Sequence, residues 1–209
     1  AVFIDDLAAF PITSGNTASG TGVRGIGIAG GGLTGTNRWN KPGPDFPYFL
    51  NGELALNDGA LWIVDPGVAL RTENQRVLVH GTLKAIGTAA DPISFASRKA
   101  IPAPGDWKGI YIGPNASLSE LCHVVVSHAG QDNLGFIRGA YRFSSLFVDA
   151  SSPVIDHLTL LQSRNHGLEL YGSGSAINTA TFSDCGGYAM VLSAASRARL
   201  TEGRFINNG

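Results

Sequence analysis

From Trp39 onward the chain alternates short apolar runs with turn signals. Tyr48-Phe49-Leu50, Glu53-Leu54-Ala55-Leu56, Leu61-Trp62-Ile63-Val64, Val77-Leu78-Val79, Ile93-Ser94-Phe95 and Gly109-Ile110-Tyr111-Ile112 are such runs. Each has the alternating or continuous apolar character of a short strand. Asn51-Gly52, Asp58-Gly59 and Pro66-Gly67 separate them as turns. No segment sustains a 3.6-residue stripe, so the pattern predicts an all-β chain without a long helix.

The pattern also repeats. Ile155, Leu158, Leu160, Ser163, Leu168 and Leu170 match Ile177, Ala180, Phe182, Cys185, Met190 and Leu192 at an offset of 22. An offset of 23 carries Ile177, Phe182 and Cys185 to Leu200, Phe205 and Asn208. Upstream, Leu121, Val124 and Val126 match Ile155, Leu158 and Leu160 at an offset of 34, which places an excursion loop between Gln131 and Gly139. A period of this length with three short strands per unit predicts a β-solenoid. One unit cannot bury its apolar residues alone, so stacking should align Leu160, Phe182 and Phe205 in one interior file. Ser163, Cys185 and Asn208 are expected to form a polar ladder at a corner.

Residues 1–38 differ in texture. Thr13 to Gly35 is rich in Gly, Ser and Thr, which predicts a cap or linker before a solenoid spanning 39–209. Only Gly25-Ile26-Gly27-Ile28 hints at a strand there. Gly25 to Gly30 spells G-x-G-x-x-G, but the strand and helix a dinucleotide site needs are not evident around it. The last residues break off within a repeat, so the solenoid is expected to continue or to be truncated.

Composition narrows the function classes. Charged residues are only 15%, glycines number 28, and the net charge is −1. No basic stripe appears, which argues against a nucleic-acid partner. No run of apolar residues is long enough to span a membrane as a helix. Cys122 and Cys185 fall at different points of the repeat, so no disulfide is expected between them.

The stretch from Trp39 to Gly130 resembles the pectate-lyase-like superfamily of bacterial secreted and cell-surface β-helix proteins. Asp58 to Val68, His80-Gly81-Thr82-Leu83-Lys84-Ala85 and Gly105-Asp106-Trp107-Lys108-Gly109-Ile110 carry the likeness. The resemblance implies a right-handed parallel β-helix with an extracellular or cell-surface location. It says little of activity, because enzymes, adhesins and structural proteins share such folds.

Lyases and hydrolases of this family rely on clustered or paired carboxylates. In the aligned repeats no file holds carboxylates on adjacent levels: Asp156 aligns with Asn178, and Asp184 lies between Gln162 and Asn207. No catalytic residue and no cofactor is therefore assigned. His123 and His157 align on adjacent levels and are weak candidates for a metal, without a third ligand. Trp39, Trp62, Trp107, Tyr111 and Tyr141 are candidate sugar-stacking faces, set against the simpler reading that the tryptophans pack inside. Arg138, Tyr141 and Arg142 flank the excursion and form the candidate ligand-facing cluster.

The leading expectation is a non-enzymatic extracellular or cell-surface module with a structural, adhesive or glycan-binding role, its partner a polysaccharide or surface glycan. The alternatives are a polysaccharide-active enzyme and a subunit of a head-to-tail filament. The filament would associate through the β-helix ends, with Val2-Phe3-Ile4 as a strand to donate.

Overall fold

The computed structural model describes residues 2–4, 15, 23–131 and 134–209. Among them the chain is all-β, with no helix. Its strands run parallel in a twelve-stranded and a seven-stranded sheet, and one antiparallel hairpin stands apart.

The register follows from the side-chain pattern. Alternate residues of each short strand point inward and outward, so a parallel neighbour must be placed with like over like. Ile26, Tyr48, Leu70, Phe95, Val126, Leu160, Phe182 and Phe205 pair in one unbroken sequence across the larger sheet. The expected Leu160–Phe182–Phe205 file is its final portion. The rings of Phe182 and Phe205 stack at 5.2 Å. Phe205, on the outermost strand Arg199–Ile206, is 53% exposed, whereas Phe182 is fully buried. A second file on the smaller sheet runs Leu54, Val77, Ile110, Leu146, Leu168 and Met190.

The larger sheet is forked. Upstream, Thr36–Trp39, Leu61–Val64 and Thr82–Ile86 form one arm, while Ile26–Ile28, Tyr48–Leu50, Ala69–Thr72 and Ile93–Ser97 form another. The single strand Glu120–Ser127 then pairs with both arms. Its residues 120–122 lie against Lys84, Ala85 and Ile86, and its residues 124–126 lie against Ile93, Ser94 and Phe95. The bend between the two halves falls at His123, whose φ is 49°, and recurs at His157, also at 49°. These histidines sit in left-handed corners within continuous strands, not in a separate turn.

A further corner is formed by His128, Gln162, Asp184 and Asn207, with φ between 47° and 60°. Asn and Asp tolerate this region because short polar side chains bond locally. Asn207 Nδ2 donates to Asp184 Oδ1 at 3.2 Å, one level below. The expected Ser163–Cys185–Asn208 ladder takes another form. Ser163 Oγ donates to the carbonyl of His166, and Asn208 Oδ1 accepts from the Cys185 amide. A thiol is a weak partner, so the backbone takes its place. Both cysteines are free.

The change of texture at residue 39 is not an edge of the sheets. Ile26–Ile28, Gly31–Leu33 and Thr36–Trp39 already pair in register with Tyr48–Leu50, Leu54–Leu56 and Leu61–Val64. Glycine blurred the signal: Gly30 packs so closely on the backbone of Gly52 and Glu53 that a side chain has no room there. The strand Val2–Ile4 pairs with Ile26–Ile28 of its own chain. Much of the Gly/Ser/Thr-rich stretch before Val23 lies outside the described residues.

All three tryptophans are interior, at 0% exposure. Trp39 packs on Tyr48 and Trp62, and Trp62 meets Phe95 edge-on. The Trp107 indole N–H donates to the Ser127 carbonyl at 2.8 Å. They offer no face to a sugar; their large apolar surface is worth more inside the stack.

Candidate functional site

The excursion beyond Gln131 folds as an antiparallel hairpin, Gly135–Ile137 against Ala140–Arg142. Its two-residue turn, Arg138-Gly139, has φ of 54° and 77°. Two successive positive values are the mark of a turn whose twist matches that of a hairpin. The hairpin lies over the outer face of the seven-stranded sheet. That is why Gly109–Ile112 and Ser144–Asp149 are buried at every position. Leu134 is buried in one cluster with the stacked rings of Tyr111 and Phe147, and Arg76 Nη1 donates to its carbonyl.

The arginines of the candidate cluster hold the hairpin down. Arg138 Nε donates to Asp149 Oδ1 at 3.0 Å, and the Tyr111 hydroxyl donates to the other carboxylate oxygen at 3.0 Å. Burial, followed by the neighbouring carboxylate, pushes the Tyr111 hydroxyl well above its usual pKa, so it remains a donor. Arg142 Nη1 donates to Glu169 Oε1 at 2.6 Å, and its guanidinium lies over the rings of Phe147 and Tyr171. Tyr141 is different. It is 56% exposed and packs edge-on against Phe136, its cross-strand partner, itself 66% exposed.

Between hairpin and sheet opens a cleft of about 540 Å³ lined by Arg76, Leu78, His80, Tyr111, Phe136, Ile137, Arg138 and Asp149. His80 meets the Tyr111 ring edge-on at 5.7 Å. The cleft thus combines an exposed aromatic ring, a buried fixed carboxylate, an imidazole and guanidinium groups. Such a mixture of apolar wall and few fixed polar groups is what small-ligand sites present. Arg138 and Tyr141 were legible as flanks of the insertion. His80, Tyr111, Phe136 and Asp149 were not grouped with them, because only the vertical pairing of Val79, Ile112 and Val148 brings His80 and Asp149 to one edge.

The histidine candidates do stack, with ring centroids 4.2 Å apart. His157 Nδ1 lies 3.0 Å from Asp156 Oδ1. They border a shallow recess of about 290 Å³ with Thr159, Thr179 and Thr181. No group of three metal-ligating side chains occurs among the described residues. No helix among those residues is long and apolar enough to cross a membrane.

No protein-family model, characterised protein or solved structure matches the chain.

Proposed function

We propose that this chain is a right-handed parallel β-helix with three strands per coil, acting outside the cell or at its surface as a non-enzymatic glycan-binding module. The long in-register files support the solenoid, and the fork is read as two of the three strands of a coil fusing at a left-handed corner. The observation that carries the binding role is the hairpin cleft. Phe136 offers a ring for the C–H face of a sugar, while Arg76, His80 and the Asp149–Arg138 pair offer fixed polar groups to its hydroxyls. The carboxylates on this face already accept bonds from arginine: Glu53 from Arg76, Asp149 from Arg138, Glu169 from Arg142. That arrangement suits recognition better than proton transfer.

A glycan array followed by calorimetry on the full chain tests the proposal. At least one oligosaccharide is expected to bind, and Phe136→Ala to weaken it about tenfold, a typical loss for one aromatic contact. A chain that ignores every glycan, or a Phe136→Ala variant that binds as well as the parent, rejects it. One observation favours a second reading, a polysaccharide-active enzyme: the His80 imidazole shares the cleft with the Asp149 carboxylate. Appearance of new reducing ends or unsaturated sugars, abolished by His80→Ala, would decide for it.

A further inference from the structure

On the larger sheet a second cleft, of about 530 Å³, opens beside the loop Pro44-Asp45-Phe46-Pro47 and beneath Ala90-Asp91-Pro92. Arg71, from the strand Ala69–Thr72, lines it. This arginine differs from several other cations of the sheets. Arg76, Lys84, Lys99, Arg138 and Arg142 each face a carboxylate. Arg71 has no carboxylate partner among the described residues. Its Nη1 donates to Ser94 Oγ at 2.9 Å and to the Leu70 carbonyl at 3.3 Å. Burial without a counter-charge pushes its pKa below the usual arginine value.

The two bonds have a directional consequence. Both use Nη1, which anchors the guanidinium plane to the sheet. The opposite edge, with parallel Nε–H and Nη2–H donors, makes no hydrogen bond among the described residues. That edge matches the two oxygens of a carboxylate. The neighbouring Lys41 does not compete, because its Nζ is held by Asp91 at 2.8 Å. The cleft is mixed in character: Pro44, Phe46, Pro47 and Pro92 give it apolar, rigid walls, and Asp45 and the Lys41–Asp91 pair also line it.

We propose that Arg71 and this cleft form a binding site for a small organic carboxylate, whose apolar body rests on the proline and phenylalanine walls. The site is separate from the hairpin cleft and does not depend on the glycan reading. An anchored, desolvated fork without a counter-ion leaves an unsatisfied charge that a bidentate carboxylate neutralises.

Benzoate is the probe, with benzamide as its uncharged isostere and inorganic phosphate as a test of charge alone. The full chain is titrated while the Nε–Hε resonance of Arg71 is followed by NMR. Benzoate is expected to shift that resonance to saturation. Benzamide should leave it unmoved, and phosphate should bind at least about tenfold more weakly, since it brings charge without the apolar body. Arg71→Lys keeps the charge and loses the side-on pair, so benzoate affinity should fall about tenfold or more. Should that variant fail to fold, Ser94→Ala removes the anchor alone and is expected to weaken benzoate several-fold. An unmoved Arg71 signal, equal binding of benzamide or phosphate, or unchanged affinity in the folded variants overturns the proposal. Resonances of Phe136 and Tyr141 report the hairpin cleft independently, so a failure at one site is told from a failure at the other.

Discussion

Single residues show how an interior of short strands is held. Phe182 is enclosed by Leu160 below and Phe205 above, with no exposure. Phe182→Ala is expected to cost about 3–5 kcal/mol, read as a lowered denaturation midpoint. Asp106 shows the polar counterpart. It is 4% exposed, and it accepts bonds from Ser97 Oγ, Lys99 Nζ and the Ala103 amide. Burial alone would raise its pKa, but these donors, Lys99 foremost, outweigh burial and leave the carboxyl below its ordinary value. A depressed native pKa gives stability that is fully present above the unfolded-state value of about 3.9 and is lost as pH falls through the native value. Unfolding midpoints measured from neutral to acid pH should therefore drop below about pH 4, and Asp106→Asn should flatten that acid limb while lowering stability at neutral pH.

At the scale of elements, the hairpin is a separate two-stranded addition to the parallel sheets. The next level closes the same corner in the short step from Ser163 to His166. Disabling its clamps by Arg138→Ala with Arg142→Ala should abolish amide protection at residues 134–142 in hydrogen exchange and spare the strands below. The site legible from sequence was limited by the same geometry. An offset of 34 against 22 exposed the insertion, and its flanks drew attention to Arg138, Tyr141 and Arg142. The pairing of Asp149 with Arg138 and of Glu169 with Arg142 joins outward-facing positions, where no repeat in the sequence constrains residue type. The tryptophans left two readings open, sugar-facing or packed inside, for a different reason. An aromatic ring has the same one-letter signature whether it faces inward or outward, and only the phase of its strand decides. Leu61–Val64 buries Trp62 and Val64 and turns Ile63 outward. The repeat itself was legible because inward positions must carry like over like. Upstream of residue 39 it faded because Gly31 stands where the next level carries the inward-facing Leu54, so the phase loses one of its marks there.

For the molecule as a whole, the proposed solenoid implies that each level touches mainly the levels directly above and below, so that stability is close to a sum of neighbour interfaces. Protection should then be graded along the stack rather than uniform. Met190–Leu192 and Arg199–Ile206, with partly or fully exposed side chains, are expected to exchange fastest. Gly109–Ile112 and Ser144–Asp149, covered on both faces, should exchange slowest. Equal protection throughout, measured by hydrogen exchange with mass spectrometry, would show that the levels melt as one cooperative unit instead.

The strand Glu120–Ser127 joins two arms that are separate one level earlier, where Gly87 to Pro92 bridges them. The same two rungs are thus spanned once with a detour and once directly, and the files on either side keep step in both cases. Spacing between levels is dictated vertically, by backbone pairing, and not by how many residues the chain spends going round. Evolution, or an engineer, can therefore lengthen or trim the outline at such a junction and alter what the surface offers to a visitor, while the spine beneath retains its phase.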